Sequence, residues 1–474
     1  MRENVGKVKR KRVEKTQMNK KRSAFSGKIG YVLSAAGASV GLGNIWRFPY
    51  LAAKYGGGIF LLVYIILALT FGYTMIVAES ALGRMTRKSP VGAFRSFAKG
   101  KKVGWLSFGG WINAIIPVLI VPYYSVIGGW VVKYLFEYIR GNGSKLAEDG
   151  YFSGFISSGE ATEICFVIFC MFTLVIIYAG VQNGIERVSK IMMPILIVLS
   201  VIIAIYSVTR PGAIEGVKYF LVPNVKNFSW MTVVAAMGQM FYSLSIAMGI
   251  LVTFGSYMRK DTSIEDSTRN VEIFDTAIAM MAGLMIIPAV FAFSGGDPDT
   301  LQAGPSLMFI TIPKVFANMG FGTVVGILFF VLVLFAAVTS SIALTESAVS
   351  TFEDELGWGR KKATVLTGVI MITLGTLSCL GYGPLDFVKI IGMQFLDFFD
   401  FLTNSVMMPI AALMTSLLVS RVIGVDKIEE EIRHGESTFR RKKIFVVMIK
   451  YLCPIFALII LASSVANAFG WIAM

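Results

Sequence analysis

The chain is built from apolar runs of the length that a bilayer demands. They fall at roughly 29–53, 58–83, 104–138, 162–181, 188–209, 230–258, 270–295, 321–353, 362–381, 385–420 and 444–472. A helix needs about 20 apolar residues to cross the hydrocarbon. Each polar group of a spanning backbone must be satisfied within the protein, so helices are the structure that runs of this kind predict. The composition agrees: of the 474 residues 55% are hydrophobic and 15% charged. An all-α polytopic membrane protein with about 11 transmembrane helices is expected.

The formal net charge is +15, and its distribution points to a membrane rather than to nucleic acid. Basic residues collect in the N-terminal tail (KVKRKR, then KKR), in Arg84–Lys102 and in Arg433–Lys443. These are alternate connections, as the excess of Lys and Arg on the cytoplasmic side requires. Residues 1–28 then read as a basic cytoplasmic tail able to rest on anionic membrane lipids, without the apolar core of a signal peptide. An odd number of spans puts the C-terminus outside the cell membrane. The connections 140–161 and 210–229 fall on that side too, and the partly apolar stretch 296–320 is expected to fold back as a surface hairpin. Residues 421–443 form a cytoplasmic loop. The four cysteines, Cys165, Cys170, Cys379 and Cys453, show no CxxC spacing, and the single histidine, His434, lies in that charged loop. No catalytic constellation can be assembled from them, so an enzyme is not expected.

Two spans are interrupted. Residues 37–49, GASVGLGNIWRFP, place Gly37, Gly41 and Gly43 beside Asn44 and Arg47 within the first run. A helix broken at that depth is tolerated only where it lines a cavity or is buried in protein, although glycines also serve as packing faces between helices. Residues 238–249, GQMFYSLSIAMG, break the sixth run, with Ser243 and Ser245 among bulky apolar neighbours. Breaks five spans apart point to an inverted-repeat (5+5) transporter fold with broken helices 1 and 6. The repeats are 29–209 and 230–420 within a ten-helix core (29–420), and 444–474 is an additional transmembrane helix. Other polar groups inside spans are Asp275, Thr339 and Ser340, the PYY of residues 122–124, and Asp397 and Asp400. An acid inside a membrane is a functional candidate, because leaving it unpaired is costly.

The segments NIWRFPYLAAKYGGGIF, GQMFYSLS, SYMRKD, TSSIA, FEDEL and FLDFFDF, in this order, make the chain resemble the neurotransmitter:sodium symporter family. The resemblance is to its bacterial amino-acid transporter branch, of the eleven-span type that carries many hydrophobic amino acids. It runs from about Arg22 to the end of span 11. The family's pattern implies two sodium sites. The first would use Ser39, Asn44, Ser243 and Asp275; the second Gly37, Val40, Ala336, Thr339 and Ser340. Both sets are oxygen donors, as a hard cation prefers.

The resemblance further implies a site for a hydrophobic L-amino acid. Leu42, Gly43 and Tyr124 would meet its carboxylate, and Ser39, Tyr242, Ser243 and Ser245 its ammonium. Ile120, Tyr242, Ala247, Met248, Ser340 and Leu344 would surround its side chain. Two gates are implied: Arg47 with Asp400 outside, and Arg22 with Asp354 inside, the latter supported by Phe25 and Tyr257. The spacing of Gly184 and Pro194 is that used by similar bacterial transporters to unwind the inner end of span 5. Animal relatives that need chloride carry a neutral residue where this chain has Asp275, so no chloride requirement is expected. The expectation is therefore a sodium-coupled symporter working by alternating access, the alternative being an amino-acid sensor that binds without cycling.

Overall fold

The computed structural model describes residues 23–98, 104–295 and 304–471. Among these, nine helices are long and apolar enough to cross a membrane. They are Gly58–Thr86 (span 2), Gly104–Ile139 (span 3), Gly159–Ala179 (span 4), Val181–Val208 (span 5), Ile264–Ser294 (span 7), Gly322–Leu356 (span 8), Arg360–Leu380 (span 9), Phe395–Ile423 (span 10) and Lys442–Ala468 (span 11). The two interrupted runs supply the remaining spans. Span 1 is Lys28–Ser39 followed, after the break, by Phe48–Lys54. Span 6 is Trp230–Ser243 followed by Ile250–Tyr257.

Local chemistry sets the helix ends. Span 6 starts at a capping box in which Ser229 and Thr232 satisfy each other's backbone amides, a device that supplies partners for orphan N–H groups. Span 7 starts where the Ser263 hydroxyl accepts from the Asp266 amide, with Glu265 and Asp266 in the first turn. Span 8 stops at Gly357, whose φ of 67° is a left-handed conformation that glycine adopts freely.

Spans 3 and 8 are the inner columns, 78% and 72% buried over their most apolar stretches, while span 11 is 33% buried and lies at the periphery. Span 2 packs closely on the second half of span 6 through two glycines. A Cβ on Gly83 would lie 2.0 Å from the Val252 carbonyl oxygen, and one on Gly255 would lie 2.5 Å from that of Ser80. Small residues at such crossings let backbones approach within membranes.

Two expectations need correction. The stretch expected as a surface hairpin contains instead a buried helical segment, Leu307–Ala317, with Leu307, Phe309, Ile312 and Val315 in the core. Its apolar residues find a better partner in the bundle's aromatic rings than in solvent. Span 10 begins at Phe395, not near 385; Gly381, Gly383, Pro384 and Gly392 keep the preceding segment in turns. The connection 421–443 carries the helix Val425–Arg433. That helix is held by the buried Arg84, which donates to Glu431 Oε1 at 2.6 Å and to the Thr262 carbonyl at 2.6 Å.

Candidate functional site

The first half of span 1 ends at Ser39, and Val40 is extended (φ −78°, ψ 92°). The chain then re-enters helix through a wide turn at Gly43–Arg47. In span 6 the break covers residues 244–249, and Ser245 (φ 53°) and Ala247 (φ 59°) adopt left-handed conformations. Such conformations cost a residue with a Cβ about 1–2 kcal/mol, so surrounding contacts must hold them. The Ala247 amide donates to Glu79 Oε1 at 2.8 Å, and the Ser245 hydroxyl to the Ala38 carbonyl at 3.0 Å. The two breaks face one another across a cavity.

One polar cluster lies where span 1 meets spans 6 and 7. Asn44 Nδ2 donates to Asp275 Oδ1 at 2.8 Å and to Ser243 Oγ at 2.9 Å, and Ser243 Oγ donates to Asp275 Oδ1 at 2.6 Å. Tyr64, from span 2, adds a 2.6 Å hydrogen bond to Asp275 Oδ2. All four side chains are buried. The Asn44 amide oxygen accepts from the Gly41 amide at 3.2 Å, so holding a cation here would require that oxygen to turn toward Asp275. Tyr64 did not stand out in the sequence: it is one more aromatic residue in an apolar run. Ser39 lines the adjoining cavity, and its hydroxyl is buried without a hydrogen-bond partner among the described residues.

A second cluster joins spans 1 and 8. Ser340 Oγ lies 3.3, 3.1 and 3.4 Å from the carbonyl oxygens of Gly37, Ala38 and Val40. These oxygens, freed by the break, form with the hydroxyl a donor set suited to a hard cation. Ala38 is an addition to the set expected from the sequence. Thr339 is placed differently: its hydroxyl donates to the carbonyls of Phe335 (2.9 Å) and Ala336 (3.2 Å) on its own helix. This is the bond that Thr commonly makes within helices.

Between the clusters lies a cavity of about 20 Å³ bordered by Ser39, Leu42, Gly43, Ile120, Tyr124, Tyr242, Ser243, Ser245, Met248, Ser340 and Leu344. That is room for about one water molecule. The Leu42 amide donates to the Tyr124 hydroxyl at 3.3 Å. Gly43 has a steric reason to be glycine, since a Cβ there would lie 2.4 Å from the Tyr242 ring. Ala247, expected in the pocket wall, does not border the cavity; its left-handed backbone and its bond to Glu79 anchor it toward span 2.

The expected gates are placed as follows. Arg47 lies over the Tyr242 ring, 5.5 Å from its centroid. Asp400 accepts from Asn404 Nδ2 at 2.6 Å and from the Tyr123 hydroxyl at 3.2 Å. Among the described residues no ion pair joins Arg47 to Asp400: Arg47 rests on the Tyr242 ring, and Asp400 is held by Asn404 and Tyr123. Above them Phe309 packs edge-on to Trp46, Trp130 and Tyr134 and stacks on Phe152. At the other end Phe25 packs edge-on to Phe254 and Tyr257. The Tyr257 hydroxyl donates to Glu346 Oε1 at 2.7 Å, and Glu346 pairs with Arg360 at 2.5 Å. Neither Glu346 nor Arg360 was singled out from the sequence. Asp354 accepts from the Ser89 amide at 2.6 Å; Arg22 lies outside the described residues. Span 5 is not unwound at Gly184 and runs as helix from Val181 to Val208, past Pro194. Glu186, near its start, accepts from the Ser26 amide at 2.9 Å and from Lys190 at 2.6 Å.

The profile of the sodium:neurotransmitter symporter family matches residues 22–144 and 151–470. The sodium-dependent transporter YhdH of Bacillus subtilis (strain 168) is 36% identical over 416 residues, covering 87% of this chain and 91% of that protein. A sodium-dependent transporter of Haemophilus influenzae is 32% identical over 460 residues, covering 95% and 99% of the two chains. The human sodium- and chloride-dependent GABA transporter 2 is 26% identical over 476 residues, covering 87% of this chain and 75% of that one. Among solved structures, MhsT in complex with L-phenylalanine superposes with a TM-score of 0.83 at 36% identity, covering 94% of this chain and 100% of that one.

Proposed function

Since this chain belongs to the sodium:neurotransmitter symporter family, in its bacterial branch, we propose that it imports a hydrophobic L-amino acid together with two sodium ions by alternating access. It is a sodium-coupled membrane transporter and not an enzyme. One observation carries the finer reading: two oxygen clusters, Asn44–Ser243–Asp275 and Gly37–Ala38–Val40–Ser340, flank one cavity at the paired helix breaks.

Sodium in the first cluster would lie against Asp275, Ser243, the turned Asn44 amide and Ser39, where the substrate carboxylate completes its shell. The second sodium would bridge the freed carbonyls of span 1 and the Ser340 hydroxyl, tying span 1 to span 8, with Thr339 and the Ala336 carbonyl as further oxygens. The amino acid's carboxylate would take the Leu42 and Gly43 amides and the Tyr124 hydroxyl. Its ammonium would face the span 6 break, and its side chain Ile120, Met248 and Leu344. Admission requires Tyr242 to move away from Gly43, because the cavity as it stands is far smaller than an amino acid. That MhsT is solved with L-phenylalanine supports an apolar substrate here. Asp275 supplies a fixed carboxylate beside the first sodium, which supports transport without chloride. The basic end of the bundle is read as cytoplasmic. Phe25, Tyr257, Glu346 and Arg360 close it, while Arg47, Tyr242, Asp400 and the Phe309 rings form the external approach.

The test is uptake of a panel of labelled L-amino acids into proteoliposomes under an inward sodium gradient. Accumulation of an apolar amino acid, abolished by a sodium ionophore and unchanged when gluconate replaces chloride, is expected. Sodium-dependent binding without accumulation would instead mark a sensor.

A further inference from the structure

Glu79 stands apart from the other buried acids. It lies in the second half of span 2, buried, and its one hydrogen bond among the described residues is the 2.8 Å contact of Oε1 with the Ala247 amide. Its second oxygen, Oε2, is buried without a partner among the described residues. Glu272 also keeps one unpaired buried oxygen, but among the described residues every other buried carboxyl group has a cation or at least three hydrogen-bond donors. Glu137, Glu186, Glu272, Glu346 and Glu431 each pair with a Lys or Arg. Glu265 accepts from Tyr73 and from the amides of Arg440 and Arg441. Asp275 has Asn44, Ser243 and Tyr64.

The ionisable groups on elements packed around span 2 are engaged elsewhere. Tyr31 of span 1 bonds Ser80, Tyr257 of span 6 bonds Glu346, and Arg84 of span 2 itself bonds Glu431. Arg95 pairs with Glu355 and Lys442 with Glu429. An ionised carboxylate buried with one N–H donor and no cation is prohibitively costly, and such a group takes up a proton instead.

We propose that Glu79 is a proton-binding site linked to the break in span 6: the carboxylic acid is neutral while it clamps the Ala247 amide. It releases its proton to water when the break rearranges. The link is geometric. The amide that Glu79 holds belongs to the left-handed turn that presents Ser245 and Met248 to the cavity. Movement of that turn removes the acid's one hydrogen bond and opens its surroundings to water. A ligand bound by one conformation shifts the equilibrium toward it, so low pH favours the arrangement described here and high pH disfavours it.

Infrared difference spectroscopy of the purified full chain tests the site without reference to transport. The wild type at neutral pH should show the carbonyl stretch of a protonated carboxyl group, and Glu79→Gln should lose that component. Glu79→Asp, which keeps an acid, should retain a shifted one. In proteoliposomes the pH dependence of sodium-driven uptake seen in the wild type should flatten in Glu79→Gln and persist, displaced, in Glu79→Asp. An unchanged carboxyl spectrum in Glu79→Gln, or a pH profile matching the wild type, overturns the proposal. Should Glu79→Gln fail to fold, Glu79→Asp decides the matter: a displaced acid band and a displaced pH profile support the site, and a carboxyl spectrum and pH profile matching the wild type overturn it.

Discussion

The two oxygen clusters flanking the cavity differ in how they are built. The Asp275 cluster is made of side chains from spans 1, 2, 6 and 7, and it contains a carboxylate held by neutral donors alone. The Ser340 cluster is made mostly of backbone carbonyls of span 1 met by one hydroxyl of span 8. The first offers a carboxyl group whose charge a bound cation would offset; the second offers dipoles and depends on the shape of the broken helix. Substitution should therefore damage the first through electrostatics, whereas the second loses only the contribution of one hydroxyl.

Asp275→Asn separates the two most sharply. Hydrogen bonds and contacts to charged groups contribute about 1.5–3 kcal/mol each, so the sodium concentration for half-maximal uptake should rise about tenfold or more. Uptake should be lost at low sodium or become responsive to chloride; a sodium titration with chloride or gluconate reads both. Full chloride-free activity in this variant would remove the carboxylate from the argument.

Ser340→Ala should have a smaller effect. A neutral hydrogen bond contributes about 0.5–1.5 kcal/mol, a change of about two- to tenfold in apparent sodium affinity, while the span 1 carbonyls remain. An effect as large as that of Asp275→Asn would mean that the hydroxyl, not the carbonyls, organises this cluster. Thr339→Val should matter least, by about twofold or less on the same titration, because the hydroxyl already bonds its own helix. A loss matching that of Ser340→Ala would show that Thr339 turns inward when sodium binds.

The breaks themselves were readable from glycine and serine placement inside apolar runs, since such residues make no sense on a lipid-facing helix. The partners across the bundle were not. Tyr64, Glu346 and Arg360 look ordinary in their own segments, and each acquires meaning from a residue more than ten positions, or even hundreds, away in sequence. Ala247 shows the converse. The family resemblance implied a pocket wall there, yet a left-handed φ and the Glu79 carboxyl turn it toward span 2. Leu307–Ala317 lies in the partly apolar stretch 296–320 expected as a surface hairpin; aromatic packing with Trp130, Tyr134 and Phe152 buries its Phe309.

The sequence by itself determined that the chain spans a membrane as helices and where two of those helices break. Hydrocarbon excludes unpaired backbone, and that rule acts locally along the chain. Tertiary structure decided which atoms face the cavity: that Ser340 meets three carbonyls while Thr339 returns to its own helix, that Arg47 rests on Tyr242 rather than on Asp400, and that Glu79 clamps span 6 with one oxygen unpaired. Those outcomes depend on the angle at which one helix meets another, and no single segment encodes that angle.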